Sequence, residues 1–217
     1  MGKNDFITLE SSVQYNIVKG VNRPSVGYAE LNAAWPVYLA ANVVDIRNMA
    51  GTDPTRPGIN AATGRELEWN PVPAAVNPYY AAYQINNKDD QQRLIGRTSL
   101  QINLAKNLFF KGTVALNSIY YTESNYVPKT NAYTPLGYFR SGKEQSNKTT
   151  FQGILNYYNR FMGDKIGLNL MAGANQEKND YSSNTANGTQ WIVPNLYSIT
   201  NLVNRDLANA SSLSLAG

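Results

Sequence analysis

Arg93-Leu94-Ile95-Gly96-Arg97-Thr98-Ser99-Leu100-Gln101-Ile102-Asn103-Leu104-Ala105 decides the fold of this chain. Leu94, Gly96, Thr98, Leu100, Ile102 and Leu104 fall on one side of an extended backbone. Arg97, Ser99, Gln101 and Asn103 fall on the other, with Ile95 the exception. Successive strand side chains point to opposite faces, so period two predicts a strand with one apolar and one polar face. After the break Ala105-Lys106-Asn107, the residues Phe110, Gly112, Val114, Leu116 and Tyr120 alternate with Lys111, Thr113 and Asn117. The two runs read as a hairpin with a tight turn.

Working outward, the design recurs. Phe151, Gly153, Leu155 and Tyr157 oppose Thr150, Gln152 and Asn156; beyond Met162-Gly163-Asp164-Lys165, the residues Ile166, Leu168, Leu170, Ala172 and Ala174 oppose Asn169 and Asn175. Near the start, Ile7, Leu9, Val13, Tyr15 and Ile17 oppose Thr8, Glu10, Gln14 and Asn16, after a break at Gly2-Lys3-Asn4. These short breaks alternate with polar excursions over 20–90, 123–147 and from 179 onward. Short turns at one end and long loops at the other are the asymmetry of outer-membrane barrels, and each strand exceeds the ~9–11 residues that cross a bilayer. The expected fold is all-β: a partial antiparallel transmembrane β-barrel of about five or six strands with long extracellular loops. So few strands cannot close in lipid, and Gly-Lys-Asn-Asp after Met1 lacks an apolar leader core. Residues 1–217 are therefore expected to be one piece of a larger barrel domain, without a plug.

Composition narrows the chemistry. The 217 residues are 16% charged and 42% hydrophobic, with 15 Tyr, which disfavours helical bundles and charge-driven disorder. No Cys and no His are present, removing thiolate nucleophiles, disulfides, the usual general base and the commonest zinc ligand. Hence no enzyme activity, no cofactor, no metal and no catalytic residue is expected. The 19 basic and 15 acidic residues are scattered, so nucleic acid is not an expected partner. Gly137-Tyr138-Phe139-Arg140-Ser141-Gly142-Lys143-Glu144 nearly spells a phosphate loop, but Glu144 stands where a magnesium-binding hydroxyl belongs, and the stretch reads as extracellular loop. Asp89 with Asp90, and Glu66 with Glu68, read as solvated loop charges rather than a glycosidase pair. Ala29 to Ala41 reads as a short helical turn that Pro36 breaks or starts.

Two residue sets carry the functional expectation. Arg97, Gln101, Asn103, Lys111, Thr113, Asn117, Gln152, Asn156 and Asn169 form the inward, lumen-facing set. Trp35, Trp69, Tyr79, Tyr80, Tyr126, Tyr133, Tyr138 and Trp191 fall in the long excursions, where rings stack on sugars, grip peptides, or pack loops. Phe109, Phe110 and Phe161 flank the short turns, and Tyr120, Tyr121, Tyr157 and Tyr158 are placed at membrane interfaces. A soluble or surface-attached carbohydrate-binding β-sandwich is the alternative.

Asn77-Pro78-Tyr79-Tyr80, Asn86-Asn87-Lys88-Asp89-Asp90, Arg93-Leu94-Ile95-Gly96 and Trp191-Ile192-Val193-Pro194-Asn195-Leu196-Tyr197-Ser198-Ile199-Thr200-Asn201 occur in an order and spacing that resembles the SusC/RagA family of TonB-dependent outer-membrane transporters. The resemblance implies a barrel of ~22 strands filled by a plug. It also implies contact with outer-membrane lipid, a SusD-like lipoprotein over the mouth, energy from the TonB complex, and oligosaccharide or peptide as substrate. The plug, the TonB-contacting box and a signal peptide have no counterpart in these residues.

Overall fold

The computed structural model describes residues 6–23, 32–72, 75–194 and 196–216. The Gly2-Lys3-Asn4 break lies outside them. Six strands, β1 (Ile7–Val21), β2 (Asn86–Ala105), β3 (Leu108–Val127), β4 (Tyr138–Phe161), β5 (Ile166–Trp191) and β6 (Leu202–Ala216), form a single sheet in sequence order. Every neighbouring pair is antiparallel. All six lie in one sheet, so the alternative of two packed sheets is not what the described residues form.

Register shows why one face is apolar. Leu9, Leu100, Gly112, Gly153 and Ala174 are consecutive partners across β1 to β5. The Phe110 ring lies against the open space over Gly112 and Gly153, where an added Cβ would be 3.5 Å from it. Among the described residues nothing covers this face: Leu9 is 66% exposed, Val13 77% and Leu170 56%. The row through Tyr15 runs Leu94, Ser118 and Asn147, apolar at β1 and β2 but polar by β4. From β1 to β5 the apolar zone thus slides toward the short turns. Strands that cross a fixed apolar layer at a tilt produce that slide, and barrel walls require such a tilt. Among the described residues no helix is long and apolar enough to cross a membrane, which is silent about strands.

The opposite face is a polar ladder. Asn156 donates to Asn169 at 2.9 Å, Gln101 to Asn103 at 3.1 Å and Arg93 to Asn117 at 2.9 Å. Lys111 pairs with Glu10 at 3.6 Å, and Lys148 with Glu177 at 2.7 Å.

Three sequence expectations change. The excursion expected over 123–147 shrinks to residues 128–137, because β3 and β4 continue past the apolar zone. Residues from 179 onward are mostly strand, in β5 and β6. In the upper halves of β3, β4 and β5 polar residues occupy both faces, so hydrophobic alternation fades while the backbone ladder persists. Tyr138–Glu144, all of that stretch but Gly137, is accordingly the start of β4 rather than loop. Finally, adjacent Tyr residues cannot share one interface: Tyr120 is on the apolar face and Tyr121 on the polar one, as are Tyr157 and Tyr158, and Phe110 and Phe109. The helical turn expected in 29–41 is α1 (Ala34–Leu39), whose first half of that window lies partly outside the described residues.

Long connections (22–85, 128–137 and 192–201) all leave one end of the sheet, and the tight ones (106–107 and 162–165) the other. Two glycines at the loop end are obligatory. Gly137 has φ +74°, and an added Cβ would run into the Trp191 indole; Gly58 has φ +79°, with the Tyr80 backbone in the same relation. Gly163, in the 162–165 turn, has φ +64° but open space around it. Gly137→Ala and Gly58→Ala are expected to add overpacking of roughly 1–3 kcal/mol to the left-handed backbone cost of ~1–2 kcal/mol. Gly163→Ala incurs only the backbone cost. Thermal unfolding of the detergent-solubilised chain checks the order: equal midpoints for all three contradict it.

Candidate functional site

The buried apolar side chains lie in the loops and at the strand ends that meet them. The first long loop (22–85) contains α1, a 3-10 turn over Ile46–Ala50 and α2 (Pro78–Tyr83). Asn77 caps α2: its side-chain oxygen accepts from the Tyr79 and Tyr80 backbone N–H at 2.9 and 3.2 Å, and Pro78 occupies the first helical position. The Asn77 side-chain NH2 donates to the Met49 and Leu67 carbonyls, both at 2.8 Å. With all of these bonds made, Asn77 is fully buried.

Glu66 ties this loop to the second one. Its carboxylate accepts from Asn77 N–H at 2.6 Å, Ala132 N–H at 2.8 Å and the Asn131 side chain at 3.0 Å. Its own N–H donates to the Thr130 carbonyl at 2.8 Å. Tyr80 adds a hydroxyl bond to Thr130 at 2.7 Å. Around this network Ile59, Val76, Tyr80, Ala81, Ile85 and Val127 form an apolar cluster that partly buried Tyr138 also joins. Val127 and Tyr138 are partners on the polar-face side of β3 and β4, so the first loop leans over the polar side of the sheet. Burial pushes the Glu66 carboxyl above its ordinary value, against the pull of the Ala132 and Asn77 amides. Burial likewise raises the Tyr80 hydroxyl.

A second cluster stands on the opposite side of the strand tops. Tyr126 and Phe139 are partners on the apolar-face side. Gln190, with φ +68°, turns the end of β5 so that Trp191 joins them. Trp191 lies 4.9 Å from Tyr126 and 5.8 Å from Phe139 between ring centres, and Tyr197 meets Tyr126 edge-on at 4.0 Å. The indole N–H donates to the Val127 carbonyl at 3.0 Å, satisfying the one polar group a buried Trp carries.

The eight aromatic candidates separate into different environments. Tyr80 and Trp191 are wholly enclosed and Tyr126 nearly so, so these three rings hold loops together. Tyr126, Tyr138 and Trp191 belong to strands rather than loops. Trp69 is half-buried, its N–H on the Ala75 carbonyl at 2.8 Å, and Trp35 is half-buried in α1. Tyr79 stacks on Tyr83, and Tyr133 is exposed in the second loop. The nine polar candidates all fall on one face by register, with Thr113 and Asn156 mostly buried there and Arg97 exposed.

Two carboxylate expectations are corrected. Glu66 is 6% exposed, not solvated; its donors come from residues 11 and 65–66 positions away, which no local pattern displays. Asp89 and Asp90 lie in β2, where Arg23 bonds Asp89 at 2.7 Å and Lys19 pairs with Asp90 at 3.4 Å. Among the described residues no group of three or more acidic side chains is placed to hold a metal.

Glu66→Gln keeps one acceptor oxygen but turns an NH2 toward N–H donors, leaving at least one buried amide unsatisfied. Loosening of the loop contact by roughly 1–3 kcal/mol is expected, read as faster amide exchange in 77–80 and 130–134. Because the folded Glu66 carboxyl has a raised pKa, its stabilisation is complete below the ordinary carboxylate range and is lost as pH rises through the raised value. Exchange in the wild-type segments, corrected for its intrinsic rate, is therefore faster at about pH 8 than at about pH 4, and the variant flattens that difference. A pH-independent wild type contradicts the assignment.

No protein-family model matches the sequence, and no curated protein does either. Solved structures do match. Over 98% of its length the chain follows a chain of the RagAB peptide transporter, with TM-score 0.65 and 14% identity. It also follows one of the RagAB peptide importer in its closed-closed state, with TM-score 0.64, 15% identity and the same coverage. The chain spans about a quarter of those chains, 24% and 23%. The shared property is the fold alone, an all-β antiparallel sheet of the kind found in those transporter chains.

Proposed function

We propose that this chain forms part of the barrel wall of an outer-membrane, TonB-dependent importer of the SusC/RagA type. The intact assembly takes up oligosaccharides or peptides, a SusD-like lipoprotein covers the mouth, and the chain itself performs no bond chemistry. The observation that carries this reading is the uncovered apolar face of β1 to β5, backed by a polar ladder. Monomeric soluble proteins rarely leave a contiguous apolar surface of this kind in water, whereas lipid requires it. The similarity to transporter chains supports the same direction. Arg97, Gln101, Asn103, Lys111, Thr113, Asn117, Gln152, Asn156 and Asn169 then line the interior, against the plug or the solute path. Of the eight aromatic candidates, Tyr133 is the exposed one.

The absence of Cys makes any introduced thiol unique. In native outer membranes, a fluorophore on Leu100→Cys is expected to be quenched by nitroxides in the acyl chains. One on its neighbour Gln101→Cys is expected to be quenched by a water-soluble agent instead. Equal aqueous quenching at both positions sinks the reading. Correspondingly, Leu100→Arg is expected to destabilise the folded, membrane-inserted chain by ~2–4 kcal/mol, the cost of a cation near mid-bilayer, and Gln101→Arg by far less. Urea-induced unfolding in lipid vesicles measures the pair.

A further inference from the structure

One cleft among the loops carries chemistry that the importer reading leaves unassigned. It has a volume of about 460 Å³, within the ~300–1,000 Å³ typical of small-ligand sites. It lies where the three long connections meet. Arg56 and Gln84 come from the first, Lys129 from the second, and Pro194 and Tyr197 from the third, with the Tyr126 ring between them. We propose that this cleft binds a solute bearing a carboxylate beside a flat or apolar group, making acidic solutes the preferred cargo.

Charge is the first argument. The lining contains two cations and no carboxylate. Neither Arg56 nor Lys129 forms an ion pair with a described acidic residue, unlike Lys19, Lys111, Arg140 and Lys148 on the strands and Arg23 just beyond β1. Asp53, the carboxylate that feels Arg56, is held by the Thr55 N–H and hydroxyl at 2.9 and 2.7 Å and does not line the cleft. Glu66 is sealed within the loop contact. Lys129 is half-buried, so its unpaired charge is less well hydrated than a free surface lysine and gains more from an incoming anion.

Rigidity is the second. Tyr126 is locked between Trp191 and Tyr197, Trp191 is bonded to the Val127 carbonyl, and Gln84 donates to the Pro57 carbonyl at 3.0 Å. The walls are therefore set before a ligand arrives, which lowers the ordering cost of binding. Tyr197 is 55% exposed and, with Pro194, offers a surface for stacking next to the cations. An aromatic wall beside a cation pair matches a carboxylate attached to a ring or a short peptide. It is poorly matched to a neutral solute, which leaves both charges without a partner.

A uronic-acid oligosaccharide and an acidic peptide share this chemistry, and paired probes separate them. Calorimetric titration of the full chain in detergent uses triglutamate against triglutamine, and trigalacturonate against neutral galactotriose. The expected result is binding of the acidic member of at least one pair, with its neutral counterpart at least about tenfold weaker. Whichever pair responds identifies the source of the carboxylate. Lys129→Gln and Arg56→Gln each reduce the acidic affinity about tenfold and flatten its salt dependence, as removal of a charge contact does; Lys129→Arg restores it. Unchanged protease resistance of the loops verifies that the variants remain folded, and if Lys129→Gln opens them, the exposed Arg56→Gln carries the comparison. No acid preference in either pair, or a preference that survives both substitutions, overturns the proposal. The inference rests on the importer reading only for the side of the membrane that the cleft faces. Lost acid preference with lipid quenching intact at position 100 defeats the inference alone, while aqueous quenching there defeats the reading beneath it.

Discussion

A continuous antiparallel backbone ladder is the constraint on which this molecule depends. From β1 to β6 each strand pairs with its sequence neighbour, and the ladder runs on where side chains no longer favour either face. In a globular domain an apolar core beneath the sheet supplies most of the stability. Here the described residues give the sheet no second layer, so its interior backbone groups are satisfied strand to strand and its apolar face is left to the surroundings. Lipid offers no hydrogen bonds, which makes strand-to-strand pairing mandatory wherever such a wall meets the bilayer.

Above the ladder, a different physics takes over. The loops make a small apolar interior of their own and tie it together with buried polar groups whose partners come from separate loops. Glu66 anchors the first loop to the second, while Trp191 and Tyr126 draw the third toward the strand tops. The two clusters stand on opposite sides of the sheet edge, and the cationic cleft lies between them. The same contacts that order the loops therefore shape the cleft walls.

Residues differed in how openly they displayed their role. Leu100 and Gln101 announce their faces, because alternation is strongest where one face is apolar and the other polar. Glu123 to Val127 and Tyr138 to Asn147 are strand that reads as loop, since polar residues occupy both faces there. The aromatic pairs were visible as girdle material, but which member of Tyr120–Tyr121 faces outward needs register. Glu66 resembled a solvated charge because its three donors are supplied by Asn77, Asn131 and Ala132, two of them from a loop more than sixty residues away.

By itself the chain's order of residues determined an all-β, two-faced wall with short turns at one end, because period two is a local consequence of extended backbone geometry. It also determined which chemistries are missing, since no arrangement in space creates an imidazole or a thiol. Tertiary structure alone decided how far the strands reach, which rings are enclosed, and that Arg56, Lys129 and Tyr197 meet in one cleft. Those outcomes depend on contacts between segments far apart in the chain, and burial and proximity of that kind leave no period to read.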